Sequence, residues 1–254
     1  MHFFKRLYLG AIYLFLYLPI FILILYSFND SKYSVEWTGF TWKWYEKVLE
    51  NDALLEAAFN SISIATLSAF AATFLGTLGA VALFRYQFKG KHLLKSLVYI
   101  LILSPEIVMG IALLILFVTI GLSLGFVSLL IAHITFCLPF VVVTVLSRLS
   151  GFDHSIIEAA SDLGASGWQT FWKVIIPSIM PAVIAAFLLS FTLSLDDVII
   201  SFFVSGVEFE ILPIKIFSMV RLGVKPEINA LCAVMFIFTI IMVGLSQFLL
   251  KERS

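Results

Sequence analysis

Six apolar runs, each close to the length that crosses a bilayer, constrain this chain more than any other feature. They fall at about residues 7–28, 57–83, 96–120, 126–147, 179–204 and 230–250. A helix rises about 1.5 Å per residue, so about 20 apolar residues cover a hydrocarbon core. Inside lipid every backbone amide needs a partner within its own segment, and a helix supplies one. The pattern therefore predicts an all-α polytopic membrane protein, with six transmembrane helices forming one domain over residues 1–254. Composition agrees: 61% hydrophobic and 13% charged residues leave too little polar surface for a soluble chain of 254 residues. A net charge of zero points to no nucleic-acid partner. Cys137 and Cys232 lie in apolar runs and read as packing residues, with no disulfide framework. The first run follows basic residues, as a signal peptide would. It is too long for one and no small-residue cleavage site follows, so it reads as a retained span.

Basic residues set the expected orientation. With a cytoplasmic N-terminus, Lys5, Arg6, Arg85, Lys89, Lys91, Lys95, Arg148, Lys173, Lys251 and Arg253 lie inside, ten of the sixteen Lys and Arg. Lys32, Lys43, Lys47, Lys215, Arg221 and Lys225 lie outside. Both termini come out cytoplasmic. The outer segment 29–56 carries Trp37, Trp42, Trp44 and Tyr45, a density that suggests an interfacial helix or a docking surface. Ser68, Ala72, Gly76 and Ala80 form a four-residue ladder of small side chains, which lets helices approach closely.

Three acids interrupt the apolar runs: Glu106, Asp196 and Asp197. A charge at the centre of a spanning helix costs about 2.5–3.5 kcal/mol on insertion scales, so such groups pair, line a wet cavity or meet an ion. Glu106 follows Pro105, whose ring clashes with the carbonyl of Leu101 and predicts a kink near the midplane. Ser190, Ser194, Asp197 and Ser201 are spaced for one face of a continuous helix, with Asp196 flanking it; that polar face is expected to line a cavity or a subunit interface and, with Glu106, the substrate pathway. No basic residue is expected within the six runs to pair with these acids; a partner could come from another subunit, and the better reading is the cargo. A multiply charged flexible cation suits them, with Phe202, Phe203 and Phe217 available for cation–π contact. Bonding to neighbouring helices is the plainer alternative. His133 and Cys137 share a face four residues apart. With no third ligand they read as packing groups, the histidine hydrogen-bonded, and no metal site is expected.

Residues 148–178 differ from the other inside segments. Asp153 can cap a short helix through 163, Gly164 suits the left-handed residue that ends it, and Ser166 with Gln169 has capping-box spacing. A second helix is expected to run to Pro177, making a hairpin over about 150–177. Small Ala159 and Ala160 let another surface come close, and Glu158 and Asp162 offer acids to basic groups on it.

The stretch from Glu158 resembles the signature loop of ATP-binding-cassette (ABC) importer permeases. That pattern is Glu-Ala-Ala, three residues, Gly, nine residues and Ile-x-Leu-Pro. Glu158, Ala159, Ala160, Gly164 and Pro177 match it, with Val174 and Ile176 as conservative replacements. Nearly the whole chain is similar to the second permease subunit of spermidine/putrescine importers, through "SPEIVMG", "HITFCLPFVVVTVLSRL", "SLDDVIISFFVSG" and "ILPIKIFSMVRLGVKPEINAL". In that family the position of Glu106 is commonly Asp.

The resemblance implies a type I importer permease (MetI-like) fold in a bacterial cytoplasmic (inner) membrane. It implies a homologous second permease, two copies of an ATP-binding subunit, one of which takes this chain's hairpin through Glu158, Ala159, Ala160, Asp162 and Gly164, and a periplasmic polyamine-binding protein. No Walker A sequence is present: Gly90-Lys91 lacks the upstream glycine and a following Ser or Thr. ATP and Mg are therefore expected on the partner ATPase, with no cofactor in this chain and no enzymatic role. The alternatives are a permease for another small solute or, less favoured, a stand-alone secondary transporter. An aspartyl hydrolase is disfavoured because adjacent residues of one helix diverge.

Overall fold

The computed structural model describes residues 2–31, 36–221, 223 and 225–251. Lys32 and Arg253 of the charge pattern lie outside the described residues. The described chain is helical, apart from an isolated bridge between Asn29 and Phe40. In order, the helices are α1 (His2–Tyr26), α2 (Lys43–Glu50), α3 (Asp52–Arg85), α4 (Lys91–Leu103), α5 (Glu106–Thr119) and α6 (Phe126–Ser150). Then come α7 (His154–Asp162), α8 (Gly167–Thr170), a π-helical turn (Phe171–Ile175), α9 (Ile176–Asp196), α10 (Ile199–Val204), α11 (Leu212–Arg221) and α12 (Pro226–Lys251).

Among the described residues, α1, α3, α6 and the helix ending at Asp196 are each long and apolar enough to cross a membrane. The pair α4 and α5 qualifies only as one broken span, and α12 is apolar over Pro226–Ile241.

Two of the expected spans are not continuous helices. The third run breaks at Ser104-Pro105, and α4 meets α5 at 112°. Pro105 lacks an amide proton and pushes Ser104 to extended backbone (φ −72°, ψ 135°), so the predicted kink is a full corner. The fifth run breaks after Asp196, where Asp197 is extended (φ −65°, ψ 124°) and α10 starts two residues on. The hairpin's second helix does not stop at Pro177. It passes from α8 through the π turn into α9: just before Pro177 the bonding shifts to i−5, Ile176 N–H reaching the Phe171 carbonyl, and this widened turn takes in the proline.

By their internal packing the described residues fall into two compact units, one within 58–214 and one within 1–57 and 215–254. In the first unit α6 packs along α9 and touches α4, while α10 sits on α5 and α6. Its core holds Leu129, Val141, Val145, Ile179 and Ile200, all fully buried. Lipid gives helices no hydrophobic reason to associate, so close backbone approach matters most. The ladder in α3 provides it: a Cβ on Gly76 would lie 2.7 Å from Val141 Cβ on α6. A Cβ on Gly110 of α5 would meet Phe203 Cδ2 of α10 at 2.7 Å.

In the other unit α1 and α2 pack on α12. Trp44 is buried and donates its indole N–H to the Asn29 carbonyl at 2.6 Å. Phe28, Phe40, Trp42 and Tyr45 cluster with ring centroids 4.9–5.8 Å apart, Phe40 and Trp42 exposed. The expected aromatic helix is therefore the short α2, with one tryptophan turned in.

Candidate functional site

The two helix breaks bring the three acids together. Glu106 is the first residue of α5, exposed, at the helix end whose dipole favours negative charge. Asp196 is the last residue of α9 and also exposed. Asp197 is only 6% exposed. The three carboxylates are near enough for their charges to interact.

Asp197 turns inward and is held there. It accepts from the backbone N–H of Ile200 at 3.3 Å and of Ser201 at 2.8 Å, capping α10, and from Ser201 Oγ at 2.7 Å. His133 Nε2 lies 2.8 Å from Ser201 Oγ and 3.6 Å from Asp197 Oδ2. His133 Nδ1 lies 2.6 Å from Ser194 Oγ, which accepts from Ser68 Oγ at 2.9 Å. Cys137 Sγ, one turn along α6, reaches the Ser190 carbonyl at 3.5 Å.

Asp197 therefore finds its neighbours within this chain, Ser201 and the imidazole of His133 on α6, where the runs were expected to hold no basic residue; Glu106 and Asp196 gain no partner from His133. Ser190, Ser194, Ser201 and Asp197 face this buried interior and do not form an exposed stripe. In this chain that face packs between helices. Glu106 and Asp196 are left as the accessible acids. Phe202 is exposed, Phe203 packs on Gly110, and the face of Phe217 is occupied by the Arg221 guanidinium at 4.5 Å.

The expected hairpin forms from α7 and α8. Ser155 N–H donates to Asp153 Oδ1, Gly164 is left-handed (φ +80°), and Ser166 and Gln169 close a reciprocal capping box. Glu158, Ala159, Asp162 and Gly164 are exposed and Ala160 is half-buried. Leu163 is 89% exposed at the turn, with Ile156 and Trp168 exposed beside it. Arg85, at the end of α3, donates to the Gly167 carbonyl at 3.4 Å, and Phe84 meets Phe152 edge to face. The hairpin is thus joined to the spans by α9 itself and by contacts from α3.

An apolar helical bundle with two broken spans and an exposed capped hairpin describes a transport permease. Residues 72–253 match the family of binding-protein-dependent transport system inner membrane components, and the chain belongs to that family. It is an inner-membrane, multi-pass permease component of an ABC transporter. The chain is 49% identical over 252 residues to the Spermidine/putrescine transport system permease protein PotC of Haemophilus influenzae, covering 99% of this chain and 98% of that one. It is 52% identical over 247 residues to the protein of the same name from Escherichia coli K12, covering 97% and 94%. Among solved structures, a bacterial ABC transporter involved in the import of the polysaccharide alginate matches with a TM-score of 0.77 at 18% identity, covering 99% of this chain and 95% of that one. That likeness carries the type I importer fold.

Proposed function

We propose that this chain is the permease subunit of an ATP-driven spermidine/putrescine importer, and that Glu106 and Asp196 receive the cationic cargo. The observation that carries the reading is the pair of exposed carboxylates at two helix breaks, beside an inward-turned third. A polyamine is a flexible chain of ammonium groups separated by methylenes. Its charges offset acids that are costly to bury, and its methylenes tolerate an apolar wall. Broken helices at membrane depth, with backbone groups freed at the break, suit a transport site. An anion permease would need basic groups here. Substrate preference between spermidine and putrescine is assigned to the binding protein.

The complex we envisage holds this chain and a homologous second permease, with six spans in this chain and both termini cytoplasmic. Two ATPase copies carry the ATP and Mg, one of them seated on Glu158, Ala159, Ala160, Asp162 and Gly164. A periplasmic polyamine-binding protein docks outside. ATP binding closes the ATPase pair, the hairpin transmits that closure to α9, and the cargo passes between the permeases. Hydrolysis resets the inward-facing state.

The test is to purify the chain with its bound subunits and identify the ligand of the co-purifying binding protein. A polyamine and an ATPase subunit support the reading. A binding protein loaded with an anion or a sugar, or transport by the chain without an ATPase, would remove it.

A further inference from the structure

His133 is buried completely, and its two ring nitrogens reach the two halves of one broken span. Nδ1 meets Ser194 of α9, before the break, and Nε2 meets Ser201 of α10, after it. The direction of the network follows from its end. Asp197 offers only acceptors when ionised, so Ser201 Oγ spends its proton on Oδ2 and must accept from His133. Nε2 therefore carries hydrogen. At the other side Ser68 donates to Ser194, which frees the Ser194 proton for Nδ1. A neutral imidazole with hydrogen on Nε2 gives a one-way chain from Ser68 through Ser194, His133 and Ser201 to Asp197. Within it Ser194 and Ser201 each have both a donor and an acceptor.

The break needs such a device. Residues 197–198 are neither Gly nor Pro, so the local preference for a break rests on Asp197 as the N-cap of α10 and leaves the two halves without a covalent reason to keep one geometry. The break persists because Asp197 leaves the helix to cap α10 and is held by groups from α6 and α10. Its neighbour Asp196 is then left facing outward beside Glu106.

We propose that His133 is a positioning residue for cargo: it staples α9 to α10, keeps Asp197 turned inward and thereby presents Asp196 to a passing polyammonium ion. His133 touches no cargo itself. The assignment deepens the polyamine reading and rests on it.

The experiment uses the complete complex in proteoliposomes, with His133→Leu and His133→Gln, reading both spermidine uptake and ATP hydrolysis. His133→Leu should lower spermidine delivered per ATP by about tenfold, the scale of a lost buried hydrogen-bond pair. His133→Gln, whose amide can still donate to Ser201, should recover part of that ratio. Deuterium exchange of amides 199–204 should quicken in His133→Leu by about tenfold, as the cap loosens. A wild-type ratio with wild-type exchange overturns the assignment. So does a parallel fall of uptake and ATP hydrolysis in both variants, which marks general damage. If His133→Leu does not assemble, an unchanged ratio in His133→Gln overturns it. A wild-type complex that hydrolyses ATP but takes up no polyamine defeats the polyamine reading instead, and the exchange measurement then decides His133 alone.

Discussion

Asp196 and Asp197 are neighbours in sequence with opposite surroundings. The first is exposed and the second has its carboxylate fully engaged. Their substitutions should therefore separate. Asp196→Asn should lower polyamine uptake by about tenfold or more, at unchanged subunit assembly in size-exclusion chromatography. Asp197→Asn should instead destabilise the permease by about 1–3 kcal/mol, because an amide hydrogen placed against Ser201 or Ile200 leaves a buried donor unpaired. A thermal melt of the purified complex reads that shift. Gly110→Leu should destabilise by about 1–3 kcal/mol on the same assay, since even its Cβ would lie 2.7 Å from Phe203. At this scale the sequence marks Glu106, Asp196 and Asp197 as exceptional, because charge in an apolar run is conspicuous. It does not reveal that His133 answers Asp197. That pairing depends on the register of α6 against α9 and α10, which no local spacing encodes. The one available signal is a lone imidazole in an apolar run.

The hairpin of α7 and α8 is the element most legible in sequence, because caps are local chemistry. Asp153, Gly164 and the Ser166/Gln169 pair each do what their spacing implies. Pro105 is equally legible as a break, although the sequence does not give its 112° angle. The break at Asp197 is less legible. Asp197 is a good N-cap residue and caps α10 locally, but nothing in the sequence says that a cap will interrupt this apolar run or that His133 of α6 will meet both sides of it. Nor does Pro177 mark an end, since the π turn directly before it carries the helix through. The exposed Glu158 and Asp162 face the surface where we place the ATPase. Glu158→Lys should weaken ATPase co-purification by about tenfold or more, reversing a charge at a close-packed contact. Undiminished ATPase capture with normal uptake would remove the hairpin from coupling.

For the whole molecule, the six apolar runs suffice to place the chain in a membrane, because length and hydropathy are properties of sequence alone. The division into two units, with α1, α2 and α12 apart from the core of α4–α10, comes from which helices pack together. Family membership is carried by the match over residues 72–253. Within that frame the central claim is that accessible acids at two helix breaks receive a polyammonium cargo driven by a separate ATPase. Its most direct test is ATP-driven uptake of labelled spermidine by the reconstituted complex, wild type against Glu106→Gln/Asp196→Asn. The account predicts uptake that requires ATP and the binding protein, and a loss of at least about tenfold in the double variant while ATP is still hydrolysed. Wild-type uptake by the double variant would contradict it.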